Sequence, residues 1–319
     1  MRLEVITVPE EIRKGFGFGT LVACQNVVDS LKQSFDDVRL SVCENEKDLY
    51  GVVKRKPDLV VLAVKHVPFL DGKEIWLADF FEKSGIAYTG SCKNAMEHDV
   101  DKESAKKQMN RFGIRTARYL TSVPGKYSEL TGLPMPYPLF LKPLAGADSL
   151  GVDEKSIVRD FSEFEVKVRS IYEKDYETVL VEQYLPGREF TVALIESKDA
   201  LLVAAIEIIP PEKNGVRILS EKVKSQDTES LQQVFDAKLL VKISNLARRA
   251  FNALDARDFA RIDIKMDKEG ECHFMEANLT PGMNKGSSYF TEAFEMSLGM
   301  NYDEVVSSII QNALKRITV

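Results

Sequence analysis

The first hundred residues alternate between apolar runs and amphipathic segments. Apolar runs at residues 3–8 and 59–64 predict strands, and apolar positions at helical spacing predict a helix over 21–31 between them. Strands that alternate with helices favour a small parallel α/β unit. The sequence GFGFG at residues 15–19 falls between the first strand and the first helix, where open α/β sheets bind ligands. A simple turn explains these glycines equally well.

A change of pattern near residue 100 indicates a second unit. A charged helix over 101–112 ends at Gly113, and a proline-rich stretch at 133–138 then leads into a short apolar strand at 139–141. We place this unit at residues 99–186, after a first unit at 1–98.

The remaining residues, 187–319, predict a third unit of the α+β class. Its elements are strands at 178–184 (entering the unit), 190–195 and 201–209, a long amphipathic helix over 231–254 and a last helix over 303–317.

Residues 261–283 are the most informative stretch of the chain. Polar and apolar positions alternate on both sides of Gly270, which predicts a β-hairpin. Side chains two apart share a face of a strand, so we expect Glu276 to share its face with Phe274. A reversal near Gly270 places Asp263 roughly opposite Glu276.

Two like charges placed opposite each other repel, and a solvated hairpin face tolerates such a pair. Asn278 adds a third hard oxygen atom on the same surface, and Arg261 adds a positive charge. Three such oxygens suit Mg²⁺ shared with phosphate. The residues alone leave a plain surface hairpin and a metal–phosphate site both open.

Composition narrows the function class. Hydrophobic residues make up 44% and charged residues 29% of the 319, as in ordinary globular proteins. A net charge of −6 argues against nucleic acid as a partner. The four cysteines and three histidines lack the spacing of a zinc site. We expect a cytoplasmic protein with no membrane partner, because no signal sequence and no run of 18 apolar residues is present.

Seven short motifs follow one another along the chain: YTGS at 88–91, DK at 101–102, GI-x-T at 113–116, LKP at 141–143, VEQYLPGREFTV at 181–192, RID at 261–263 and MEANLTPGM at 275–283. In this order, they make the chain resemble the D-alanine–D-alanine ligases of the ATP-grasp superfamily.

The resemblance implies a fold, an activity and an assembly. The fold would be ATP-grasp, with an N-terminal parallel α/β domain (1–98), a small central lid domain (99–186) and a C-terminal α+β catalytic domain (187–319). The activity would be an ATP-dependent carboxylate–amine ligase, which forms an amide through an acyl phosphate with an amino acid as acceptor. The partners would be small-molecule substrates, and the protein would be a homodimer.

The resemblance also implies a catalytic set. Asp263, Glu276 and Asn278 would ligate two Mg²⁺ ions, for which Mn²⁺ could substitute, between the phosphates of ATP. Arg261 and the backbone of Gly282 would stabilise an oxyanion. Ser287 would hold the carboxylate of the acceptor.

The nucleotide site implied by the resemblance spans several motifs. Lys102 and Lys142 would contact phosphate, and the loop 143–151, which contains Ser149, would close over the phosphates. The adenine would lie against Glu182, Gln183, Tyr184 and Leu185, and the ribose against Glu189. The residues alone favour a different interpretation of Glu182 and Glu189, namely an acidic pair on the surface.

The chain departs from the family pattern at three places. The lid contains Asp148 in a run that is usually rich in serine, and we expect its side chain to face either a cation or solvent. GFGFG replaces the loop whose glutamate anchors the amine of the donor, and KHVPFLDG at 65–72 replaces a second donor motif. We therefore expect a donor acid other than D-alanine, with Lys65 or His66 near an anionic group.

Two alternatives to this function remain. One is an authentic D-alanine–D-alanine ligase of cell-wall synthesis, and the other is an ATP-binding regulatory protein without turnover.

Overall fold

A computed structural model describes residues 1–12, 17–68, 74–130, 132–145, 149–175, 177–197 and 200–317. Asp148 and Gly15 lie outside these residues. In the first unit, the described elements are β1 (Arg2–Thr7), a 3-10 turn (Glu10–Ile12), α1 (Leu21–Leu31), β2 (Asp37–Val42), α2 (Glu46–Arg55), β3 (Leu59–Leu62), β4 (His66–Pro68), β5 (Glu74–Trp76), α3 (Leu77–Lys83) and α4 (Lys93–Val100).

Strands β1, β2 and β3 form a parallel sheet in the order β2-β1-β3. The predicted α/β unit is therefore present, because each crossover between parallel strands uses a helix. Helix α2 begins at Asn45, whose side chain accepts a hydrogen bond from the Asp48 amide while the Asp48 carboxylate accepts one from the Asn45 amide.

The middle of the chain forms a second sheet. Its elements are α5 (Lys102–Arg111), β6 (Tyr119–Ser122), β7 (Leu139–Pro143), a 3-10 turn (Glu154–Ser156), β8 (Ile157–Val158), α6 (Phe161–Asp175) and β9 (Val179–Gln183). The strands are antiparallel in the order β6-β9-β7-β8. Apolar residues of α6, such as Phe164 and Val168, cover one face of this sheet.

The last part of the chain forms a third sheet, in the order β14-β11-β10-β15-β16. Its elements are β10 (Glu189–Glu196), β11 (Leu201–Ile209), β12 (Glu212–Lys213), β13 (Val216–Arg217), α7 (Glu221–Gln226), β14 (Ser230–Gln233), α8 (Ala237–Ala253), β15 (Phe259–Met266), β16 (Cys272–Asn278), α9 (Tyr289–Leu298) and α10 (Tyr302–Lys315).

The helix predicted over 231–254 is wrong in its first six residues. Residues 230–233 form the edge strand β14, which pairs with β11, and α8 starts after Asp236. The Asp236 side chain accepts hydrogen bonds from the amides of Lys238 and Leu239, so this residue caps the helix and separates it from the strand.

The third sheet has two differently covered faces. Helix α8 packs on one face through residues such as Ile243 and Phe251, and α5 joins the same core through Met109. Part of the other face packs on α9, α10 and the first unit, in a core that includes Phe259 and Phe290. The rest of that second face is open, and it carries the polar side chains of the hairpin β15–β16.

Candidate functional site

The hairpin β15–β16 brings the predicted polar residues together. Asp263 pairs with Glu276 across the two strands, and Arg261 pairs with Asn278. The buried residues between them, such as Ile262 and Ala277, face α8. The alternation of the sequence thus places both carboxylates and the amide on the open face.

One predicted neighbour lies on the other face. Phe274 is fully buried in the core beneath the sheet, whereas we expected it beside Glu276. The ladder shifts register between Asp263 and Ile264, so Met275 is an extra residue in β16. This β-bulge explains why two consecutive residues, Met275 and Glu276, both line the open face.

Asp263 has three donors around it. Arg261 binds it in a bidentate manner, with Nε 3.1 Å from Oδ1 and Nη2 2.9 Å from Oδ2. The hydroxyl of Thr191 also donates to Oδ1, and the amide of Asn278 lies 3.3 Å from Oδ2. The carboxylate is therefore fixed in one orientation on the strand.

The donor set fits a hard divalent cation. Within the described parts of the chain, no cluster of three or more His, Cys, Asp and Glu side chains is present. A cation on this hairpin would therefore bind two carboxylates and the amide oxygen of Asn278. Oxygen ligands of this kind, completed by water and phosphate, are those that Mg²⁺ prefers.

A first cavity lies between the second and third sheets. Its floor is polar and contains Lys102, Lys142, Asp263, Lys265 and Glu276. The apolar side chains of the lining, which we call the apolar slot, are Phe140, Tyr184, Leu185, Ile208, Ile218 and Met275. The cavity thus pairs an apolar slot with a charged floor.

Every residue that we assigned to nucleotide binding lines this first cavity. They are Lys102, Lys142, Ser149, Glu182, Gln183, Tyr184, Leu185 and Glu189. The segment 182–185 comprises the end of β9 and the start of the connection to the third sheet, and it lines the first cavity.

Glu182 is not a surface residue, which corrects the interpretation from the residues alone. Its side chain is 1% exposed and lies between two lysines, with Lys106 Nζ at 2.5 Å and Lys142 Nζ at 3.1 Å. Lys142 Nζ is also 3.6 Å from Glu276. A chain of alternating charges therefore leads from the interior to the hairpin.

Sequence reasoning missed Lys106. It is fully buried, and its ammonium group also donates to the Thr116 hydroxyl at 2.7 Å. The signal was available, because Lys106 falls on the face of α5 that carries Ala105 and Met109, which are buried. A lysine at an apolar position of a helix requires a buried partner.

The alternating lysines and glutamates stabilise one another in their charged forms. Burial opposes the ionisation of Glu276, but Lys142 and Lys102 outweigh it and lower the pKa of Glu276 to about 2. Burial likewise opposes ionisation of Glu182, yet Lys106 and Lys142 lower its pKa. Both carboxylates are therefore ionised at neutral pH.

Glu189 and Lys102 have more modest contacts. Glu189 is partly buried and binds Lys265, with the ammonium nitrogen 2.6 Å from Oε2. Lys102 donates to the carbonyl of Leu144 at 3.4 Å, at the start of the predicted lid. Both side chains remain on the wall of the first cavity.

A second cavity adjoins the first and shares Leu150, Lys224 and Tyr289 with it. It contains the residues that we assigned to the oxyanion and the acceptor, namely Arg261, Gly282 and Ser287, together with Asn278. Ser287 is exposed, whereas Ser288 is buried and donates its hydroxyl to the carbonyl of Gly282. Arg261 and Asn278 thus lie on the boundary between the hairpin and this cavity.

Gly17 and Gly19 of GFGFG line the second cavity. Gly17 has φ +75°, and a Cβ atom there would meet the carbonyl oxygen of Ala63. The Phe18 amide donates to that same carbonyl at 2.9 Å, and the Met283 amide donates to the Phe18 carbonyl at 2.9 Å. These close contacts require glycine, and they attach the first unit to the loop that carries Gly282.

Three basic side chains near the predicted substrate sites each contact another side chain of the protein. Lys65 lines the second cavity, but its ammonium group is 2.6 Å from Asp99 and is almost completely buried. Lys285 lies over the ring of Tyr302, 5.3 Å from its centroid. His66 lies beside Trp76 and 3.7 Å from Glu74.

Comparisons with known proteins place this geometry in a family. The model described as "D-ala D-ala ligase C-terminus" matches residues 109–311. The D-alanine–D-alanine ligase of Aquifex aeolicus is 31% identical over 255 residues, which cover 80% of this chain and 82% of that protein. That of Geotalea uraniireducens is 28% identical over 289 residues, which cover 90% and 88%.

Solved structures agree on the fold. The crystal structure of D-alanine–D-alanine ligase from Bacillus anthracis complexed with ATP has a TM-score of 0.77 at 23% identity, and the match covers 100% of this chain and 99% of that one. The VanG D-Ala:D-Ser ligase of Enterococcus faecalis has a TM-score of 0.70 at 19% identity, with 98% and 100% covered.

No helix in the described residues is long and apolar enough to cross a bilayer. The matched residues include the hairpin β15–β16 and most of both cavity walls. The chain belongs to the D-alanine–D-alanine ligase family, whose members are ATP-grasp enzymes that use ATP to form an amide bond.

Proposed function

We propose that the protein joins the carboxylate of a small donor acid to the amine of an amino acid, with ATP bound in the first cavity. The observation that carries this proposal is the position of the hairpin β15–β16, which borders both cavities. One cavity offers an apolar slot beside lysines, as a nucleotide requires. The other offers Arg261 and the Gly282 loop.

The reaction balances in two steps. An oxygen of the donor carboxylate attacks the γ-phosphorus of ATP, and ADP leaves. The nitrogen of the amine then attacks the acyl carbon, inorganic phosphate leaves and the nitrogen loses a proton. Two displacements with a good leaving group replace one unfavourable condensation.

The residues of the first cavity would bind and orient ATP. Lys142 and Lys102 supply positive charge for the phosphates, and the backbone of 182–185 supplies hydrogen bonds for the adenine edge. Glu189 would accept hydrogen bonds from the ribose. Asp263, Glu276 and Asn278 would hold Mg²⁺, which when bound offsets the charge of the phosphate oxygens.

Arg261 would act at the boundary between the cavities. Asp263 fixes its guanidinium group through two hydrogen bonds, so the positive charge is oriented before substrates bind. A fixed cation next to the acyl carbon stabilises the negative charge that develops on its oxygen. The Gly282 backbone would support the same oxyanion.

The donor acid is the open part of the proposal. The relatives are named for D-alanine on both sides of the bond, which favours the authentic ligase as the second candidate. Against it, the loop that anchors a donor amine in the family is replaced here by GFGFG. We propose a donor other than D-alanine, in a homodimeric enzyme, with the three-domain division given above.

An ADP-release assay with Mg²⁺ tests the proposal. D-alanine, other amino acids and small carboxylic acids are supplied in pairs, and we expect the fastest turnover with a donor other than D-alanine. Glu276→Gln should remove most of that turnover, whereas Glu269→Gln, on the exposed turn of the same hairpin, should not change it. The fastest turnover with D-alanine alone would restore the authentic ligase, and an active Glu276→Gln would refute the metal site.

A further inference from the structure

The loop that carries Gly282 has no regular secondary structure. It begins at Leu279, directly after β16, and residues 279–283 form neither helix nor strand. A strand is held in shape by its ladder of hydrogen bonds, whereas the shape of such a loop depends on the individual groups that bind its backbone. The position of the Gly282 backbone therefore depends on how the two ends of the loop are held.

The far end of this loop is bound to the first unit and to α10. The Met283 amide donates to the Phe18 carbonyl at 2.9 Å, and the hydroxyl of Tyr302 donates to the Met283 carbonyl at 3.0 Å. All three residues belong to the core that joins the first unit to the third sheet. Groups within a packed core therefore fix this end of the loop.

The side chain of Asp99, in α4, binds the start of the loop. The Leu279 amide donates to Oδ2 of Asp99 at 2.6 Å. The peptide group that contains this amide also contains the carbonyl of Asn278, the predicted metal ligand. Because a peptide group is planar, the hydrogen bond determines the direction in which the chain leaves β16. Asp99 thus orients the backbone between Asn278 and the Gly282 loop.

The other oxygen of Asp99 binds Lys65 of the first unit. Lys65 Nζ lies 2.6 Å from Oδ1, and the side chains of Lys65 and Asp99 are 7% and 5% exposed. Burial of a carboxylate is unfavourable without a cation, so Lys65 compensates that cost and fixes the orientation of Asp99. Lys65 also lines the second cavity. Asp99 therefore connects a wall of this cavity with the start of the loop.

We propose that Asp99 is a positioning residue that orients the Asn278 and Gly282 backbone through the Leu279 amide, an inference that rests on the proposed function. Asp99 itself would not touch a substrate. A backbone donor stabilises an oxyanion only when it is held at the correct place beforehand, and small displacements of such groups reduce rates strongly. Loss of this acceptor should therefore reduce kcat more than nucleotide binding.

The charge of Asp99 determines which variants test this role. Burial lowers the pKa of Lys102, and Asp99 is one of the carboxylates that act in the opposite direction. Neutralising Asp99 alone would therefore disturb both Lys65 and Lys102. Two double variants of equal charge avoid this difficulty, Lys65→Met/Asp99→Asn and Lys65→Met/Asp99→Leu. Asparagine retains an oxygen acceptor for the Leu279 amide, whereas leucine has nearly the same shape without one.

Steady-state kinetics of the two double variants distinguish positioning from a structural role. ADP release with Mg²⁺ and the best pair of substrates measures kcat, which should be about tenfold or more lower in the leucine variant than in the asparagine variant. The KM for ATP and the Kd for AMP-PNP should agree within about twofold between the two, because a group that acts on the reaction step changes kcat and not uniform binding.

Ser91→Ala is the matched control for the loss of a buried hydrogen bond. The Ser91 hydroxyl is buried and accepts a hydrogen bond from the Arg257 amide at 3.0 Å. This contact also joins the first unit to the third, but it is not next to the Gly282 loop in the chain. The substitution should therefore leave kcat within about twofold of the parent, although it removes an acceptor from a backbone amide.

Hydrogen exchange tests the same contact without turnover. Residues 279–283 should exchange about tenfold or more faster in the leucine variant than in the asparagine variant, since the Leu279 amide has lost its acceptor. Helix α8, which packs on the other face of the third sheet, should exchange equally in both. If the leucine variant does not fold, Asp99→Ala in the same Lys65→Met background replaces it.

The outcomes distinguish this inference from the proposed function. Equal kcat values in the two double variants would overturn the role of Asp99 and leave the proposed function standing. A parent protein that releases no ADP would refute the proposed function, and faster exchange of 279–283 would then still show that Asp99 orders the loop. A loss of kcat that Ser91→Ala reproduces, or a parallel loss of AMP-PNP binding, would show that Asp99 has only a structural role.

Discussion

Two buried lysines share the carboxylate of Glu182, and only one of them reaches a cavity. Lys142 interrupts an apolar strand, and a lysine at such a position needs an anionic partner or a route to water. The identity of that partner was not predictable, since Glu182 lies on β9, the neighbouring strand in the sheet. The pairing depends on strand order and on the packing of α5, and neither is encoded in a local pattern.

Lys106→Met should destabilise the protein by about 3 kcal/mol, because it leaves a buried carboxylate with one cation instead of two. The free energy of unfolding in urea measures the loss. Lys107→Met is the matched control: Lys107 is the next residue of α5, its side chain is 60% exposed and its ion pair with Glu103 is worth little. Similar values for the two variants would show that Lys106 is not structurally important.

At the scale of elements, regular alternation was reliable and single-residue irregularities were not. Strands β10 and β11 and the hairpin β15–β16 follow their apolar patterns within a residue or two. The bulge at Met275 leaves no mark in the pattern, because one inserted residue only exchanges the faces of its neighbours. The position of Phe274 was therefore wrong although its strand was correct.

The start of α8 is a second case in which a single residue changes the structure without a clear signal in the sequence. Leu231 and Val234 are three residues apart, which is a helical spacing, so the pattern extends the helix back into β14. The capping role of Asp236 ends the helix there, and one aspartate within an amphipathic run is a weak signal in the sequence.

Asp236→Ala distinguishes a helix that begins after Asp236 from one that continues back through it, because the two cases predict opposite changes in the free energy of unfolding. If Asp236 caps α8, the substitution should lower the free energy of unfolding by about 1 kcal/mol, because two amides lose their acceptor. If the helix continued through this residue, alanine would raise stability by a few tenths of a kcal/mol, since it is the better helix former. Chemical denaturation measures the change in the free energy of unfolding. Gln232→Ala, at an exposed position of β14, is the control.

At the scale of the whole molecule, the way in which the three units pack together was not predictable from the sequence. The pattern predicted three units, but α5 packs its Met109 into the core of the third sheet, and Phe18 of the first unit contacts Phe259 of the third. The two cavities form where these units meet. Their residues come from segments far apart in the chain, so only the family resemblance brought them together before the structure was known.

The segment that contains Gly151 and Val152 is hydrogen-bonded to the first residue of α7, next to the first cavity. The Glu221 amide donates to the carbonyl of Val152 at 3.2 Å, and the Gly151 amide donates to the Glu221 carboxylate. The second sheet and α7 are therefore joined at this point by contacts that a bound nucleotide would reinforce. A ligand that occupies the cleft stabilises both sides together, by about 2.7 kcal/mol at a hundred times its Kd.

AMP-PNP with Mg²⁺ should accordingly slow amide hydrogen exchange in two separate segments at once, residues 149–158 and α7. Both segments contribute residues to the lining of the first cavity, Leu150 and Val152 in one and Lys224 in the other, so a nucleotide bound there should protect both. Glu276→Gln should reduce the Mg²⁺-dependent part of that protection, because it removes one of the two carboxylates proposed to hold the cation. Residues of α8, on the opposite face of the third sheet from the first cavity, provide the internal reference, since only global stabilisation reaches them. Protection of one segment without the other would place the nucleotide on a single unit and would contradict a site formed between the two sheets.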